Sequence, residues 1–62
     1  MSRTKAHEKA VRLFQESNKT ERIIIFIDLD SDYYQDFDAA SESKFDALVD
    51  EGWNIRADSW ID

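Results

Sequence analysis

Cysteine and proline are absent from this chain, and glycine and histidine occur once each, at Gly52 and His7. Without cysteine there is no disulfide framework and no thiolate-ligated zinc, so two common staples of very small domains are excluded. One histidine rules out a multi-histidine metal site or a histidine dyad, and in the basic segment beside Glu8 it reads as a surface residue. One glycine rules out phosphate-cradling loops, and no serine or threonine sits in a nucleophile-elbow setting. Long apolar runs are missing too. The longest, Ile23 to Ile27, is five residues, against the ~20 needed to span a bilayer. The start, "MSRTKAHEKA", has no apolar signal-peptide core. A cytoplasmic protein without membrane contact is expected, with neither enzymatic activity nor a cofactor.

What is present is charge, unevenly placed. Residues 1 to 22 hold six Lys/Arg against three Glu, a balance of +3, whereas residues 23 to 62 hold two basic against eleven acidic residues, a balance of −9, for a net −6. Phosphate would be repelled by the acidic body, so direct nucleic-acid binding is not expected. A basic protein surface is the partner that such a field favours, including the basic surface of a nucleic-acid-binding protein. Eight aromatics supply enough large side chains for a core in 62 residues.

Periodicity divides residues 1 to 62, read as a single small domain, into five segments. Residues 4 to 17 fit an amphipathic helix, with Ala6, Ala10, Leu13 and Phe14 on one stripe, Ser2 or Thr4 as the cap and Asn18 as a left-handed stop. Residues 22 to 29 fit a strand that is apolar on both faces: Ile23, Ile25, Ile27 and Leu29 on one, Ile24 and Phe26 on the other. Residues 30 to 39 form an acidic segment. Residues 41 to 51 fit a second helix with Phe45, Leu48 and Val49 inward, extended backward by Ala40 and Phe37, and stopped by Gly52. Residues 53 to 61 alternate as a strand, with Trp53, Ile55 and Ala57 on the buried side and Trp60 sharing parity with Asn54, Arg56 and Asp58.

The expected fold is therefore α/β (α+β): helix-strand-helix-strand, with a two-stranded parallel βαβ-like sheet. A short antiparallel hairpin strand at Tyr33 to Phe37 is the alternative. Ile24 and Phe26, left uncovered, together with an exposed Trp60, mark an interface that a homodimer would close. The stretch "FDALVDEGWNIRADSW" resembles the end of short bacterial α/β domains of unknown function, in which a helix closes through a Gly-Trp step into a strand; Leu48, Gly52 and Trp53 carry the likeness. It implies the αβ arrangement and no activity.

The aspartates after the first strand are the chemical question. "IFIDLDSD" resembles the nucleophile motif of haloacid-dehalogenase-type phosphotransferases, which implies Asp28 as nucleophile and Asp30 as acid. That family also uses a distant lysine, a further acidic pair and a full doubly wound domain, for which this chain has no room. A calcium loop counted from Asp28 has Tyr33 where glycine belongs and Ala39 where the bidentate glutamate belongs. No metal is assigned; the alternative is that, if the strand continued, Asp28, Asp30 and Asp32 would share one face and converge on a divalent cation. A solvated acidic cap that keeps "IIIFI" from aggregating is the bland reading.

The favoured reading is a binding face in which Asp28, Asp30, Asp32, Asp36 and Asp38 supply charge, and Tyr33, Tyr34 and Trp60 supply anchors. Such a face is similar to that of a DNA-mimicking inhibitor. In size and charge the chain is also similar to phage-encoded antagonists of bacterial defence.

Overall fold

A computed structural model of the chain describes residues 1–31 and 36–62. The element order is α1 (Arg3–Glu16), β1 (Ile23–Asp28), β2 (Asp36–Ser41), α2 (Glu42–Asp50) and β3 (Ile55–Ile61). The mixed α+β class is the expected one. The sheet is not: it has three strands in the order β2-β1-β3, and β1 runs antiparallel to both neighbours. The parallel pairing of the first and last strands is thereby corrected, and so is the backward extension of the second helix through Phe37 and Ala40. Residues 36 to 41 are extended because Asp36-Phe37-Asp38-Ala39 alternates at period two, a pattern that competes with the helical stripe and wins against the β1 edge.

A crossover is nonetheless present. With β1 antiparallel to both, β2 and β3 are parallel to each other, and α2 connects them across the strand between: a split β-α-β unit. Ser41 ends β2 and caps α2 at once, its Oγ accepting from the Lys44 amide at 3.3 Å.

The two helices lie on opposite faces. α1 is capped by Ser2, whose Oγ accepts from the Lys5 amide at 3.2 Å. At its other end Asn18, at φ 58°, donates to Gln15 O and Lys19 to Phe14 O, satisfying the last carbonyls. Ala6 and Ala10 are fully buried over Ile23, Ile25, Ile27, Phe37 and Ala39, with Leu13, Phe14 and Ile61 packed at the margin. Two alanines at the contact let the helix backbone come close to the branched isoleucines. Ile24 and Phe26, expected to be open, are only 4% and 5% exposed. They lie on the α2 side, where the Phe45 ring sits 5.5 Å from that of Phe26. The reason given for a covering second copy, an uncovered Ile24/Phe26 face, is therefore removed.

Coverage is uneven across the sheet. α1 packs chiefly on β2 and β1, and α2 packs on β2 and β1 as well. No β3 residue is buried. No helix among the described residues is long and apolar enough to cross a membrane.

Candidate functional site

Register decides which acidic residues meet. Across β1 and β2, Phe26 lies opposite Asp38 and Asp28 opposite Asp36, so Asp28, Asp36 and Asp38 emerge on the α2 side of the sheet. They line a groove of about 250 Å³ together with Phe26, Lys44, Leu48, Trp53 and Ile55. Three carboxylates and an indole thus share one concavity, with Phe26 at its floor.

Each carboxylate has a partner. Asp36 pairs with the Met1 amino group. Lys9 reaches over the β2 edge from α1 to Asp38, at 2.7 Å. Asp28 Oδ1 accepts from the Asp30 amide at 3.0 Å, which ends β1 in a tight turn. Asp30 lies in that turn and accepts from Asn54 Nδ2 at 3.2 Å. Strand alternation therefore stops at Asp28, and the convergence of Asp28 and Asp30 on one strand face is corrected. Among the described residues no group of three His, Cys, Asp or Glu side chains is placed to hold a metal ion. Asp32, Tyr33 and Tyr34 lie outside the described residues, so their expected roles have no structural account.

The tryptophans depart from expectation in different ways. Trp53, expected in the core, is 55% exposed. Gly52, at φ 96°, is the left-handed residue that closes α2: it donates to Val49 O, while the Trp53 amide donates to Leu48 O at 3.1 Å. Trp53 is thus a helix-capping residue packed beside Leu48 at the groove, two positions short of β3. The Gly-Trp step carried that signal in the sequence, since a residue just past a glycine stop belongs to the cap.

Trp60 is 53% exposed and lies on the Ile24/Phe26 side, as expected, but it shares that side with Ile55 and Ala57 and not with Arg56. Ser59 opposes Ile25 and Ala57 opposes Phe26, which leaves Asp58 as a bulge. The extra residue resets parity, so Ile55, Ala57 and Trp60 face the α2 side opposite Asp28, Phe26 and Ile24. Asp58 itself is held by Arg3 through two oxygens, the shorter contact 2.7 Å.

His7, the sole histidine, lines a separate groove of about 390 Å³ between α1 and β3 with Arg3, Thr4, Glu8, Ile25 and Ser59. Comparison with known proteins found no matching family model, no similar curated sequence and no similar solved structure.

Proposed function

We propose that this protein is a small non-catalytic binding protein that occupies a basic surface of a partner, acting as an inhibitor or regulator. The observation that supports the reading best is the groove just described, where Asp28, Asp36 and Asp38 lie beside an exposed indole. Carboxylates attract guanidinium and ammonium groups, and an aromatic face adds contact area and cation–π attraction. Surface bridges such as Lys9–Asp38 are each worth only ~0–1 kcal/mol, so a partner's cations can exchange for them at little cost. A nucleic-acid-binding protein is one class of target, because its groove is built for spaced negative charge. Inhibition in the manner of a DNA mimic, such as a phage anti-defence protein would exert, belongs to this proposal. So does a cytoplasmic site of action.

The test is affinity capture of a host partner at low and at 0.5 M-range salt, where screening shortens the Debye length to a few ångström. Asp→Asn changes at 28, 30, 36 and 38 are expected to abolish capture while the circular-dichroism spectrum is kept. Capture that survives both high salt and these changes rejects the reading.

A further inference from the structure

Of the three described strands β3 is the least covered by the helices, and its α2 side carries an apolar series. Ile55, Ala57 and Trp60 share that side, Trp53 stands at the end nearer Asp28, and Val49 of α2 is 47% exposed. From the Ile55 pair to the Trp60 pair the face runs four positions along β1, or roughly 13 Å at 3.3 Å per residue. That length matches about four residues of an extended chain. Two half-exposed tryptophans stand at the two ends of this strand face, with Ile55 and Ala57 between them, and exposed apolar area of this kind marks binding sites on small proteins.

Charge selects the occupant. Residues 42 to 62 hold six acidic residues (Glu42, Asp46, Asp50, Glu51, Asp58, Asp62) against Lys44 and Arg56, a balance of −4. Asp46, Asp50 and Glu51 are exposed on and after α2, and Asp62 lies beside Trp60 and Arg22 at the far end. At the Trp60 end Asp62 and Glu42 are paired with Arg22, whereas the Trp53 end opens on Asp28, Asp36 and Asp38, so the strip has an acidic rim on that side. Such a rim repels nucleic acid and anionic lipid, and attracts a polypeptide rich in arginine or lysine. It also disfavours a second copy of this chain approaching with the same face, because like rims would meet.

We propose that the α2 side of β3, from Trp53 to Trp60, is the docking strip for a cationic polypeptide segment whose arginine or lysine side chains stack on the two indoles. This rests on the reading of the protein as an acidic binder, and it assigns the anchoring contacts to Trp53 and Trp60. Addition of the partner as a fourth strand is a poorer arrangement, since the Asp58 bulge interrupts the outer edge of β3.

The probe is a short fluorescein-labelled peptide alternating arginine and leucine, with a glutamine-for-arginine control, followed by anisotropy. Wild-type protein is expected to bind the arginine peptide at least tenfold more tightly than the control. W53S/W60S is expected to lose at least tenfold of that affinity, and the two indole N–H resonances of the unaltered protein should move on titration. Loss of binding in the Asp→Asn set, with full binding by W53S/W60S and stationary indole resonances, rejects the strip while leaving the acidic-binder reading standing. No binding by wild-type protein even at low salt rejects both. Tryptophan-dependent self-association without peptide binding assigns the strip to a second copy and also overturns the proposal.

Discussion

β2 and β3 are edge strands of nearly equal length on the same central strand, yet they live in different surroundings. β2 buries Phe37 and Ala39 to 8% and 3% exposure, lies under both helices, and pairs its outer edge with Met1, whose carbonyl accepts from the Phe37 amide at 2.9 Å. β3 has no fully buried residue, packs Ile61 only at the core margin, and exposes Trp60. The difference comes from where two short helices can reach. A nine-residue α2 is roughly 13 Å long, and α1 is drawn toward β2 by close alanine packing, so both settle on the same two strands. The lesson concerns helix cover: the β1–β2 half lies under both helices, whereas β3 is held chiefly by its ladder to β1.

The largest effect expected from breaking this comparison is at Phe37. Phe37→Ala should cost about 3–5 kcal/mol, enough to abolish a cooperative thermal transition in so small a domain. A cost below that of Trp60→Ala would reverse the assignment of the two halves. Gly52→Ala comes next, at about 1 kcal/mol, because alanine gives up the left-handed backbone that closes α2 and aims Trp53; urea midpoints measure it. Asp58→Ala removes the Arg3 bridge, in which Arg3 is mostly exposed, and should cost at most ~1 kcal/mol by the same assay. Smallest of all, Trp53→Ser and Trp60→Ser should each stay within about 0.5 kcal/mol of the unaltered protein.

Much of this fold was legible because its signals are local. Ser2, Asn18 and Gly52 act at helix ends as their side chains and backbone freedom dictate, and the run from Ile23 to Ile27 is the central strand that its two apolar faces require. Misreadings arose where two periods overlapped or a parity was reset. Phe37 and Ala40 fit both a helical stripe extending α2 and a period-two strand, and only the β1 edge chooses between them. Asp58 counts as one more residue in a sequence but as none in the ladder, which put Trp60 on the face of Ile55 and Ala57. For the site, the acidic character of Asp28, Asp36 and Asp38 was visible. Their union with Trp53 was not, since it depends on cross-strand register that no local pattern encodes.

The bulge at Asp58 has a further consequence. A chain lacking that one residue would keep Ile55, Ala57 and Trp60 on their present side, because the remaining residues already match β1 in order. What it would lose is the bend and the buried-side carboxylate that keep the rim of the sheet from serving as a template for other chains. Deleting Asp58 is therefore expected to keep the side-chain faces of β3 in place while removing the one irregularity that guards its outer edge.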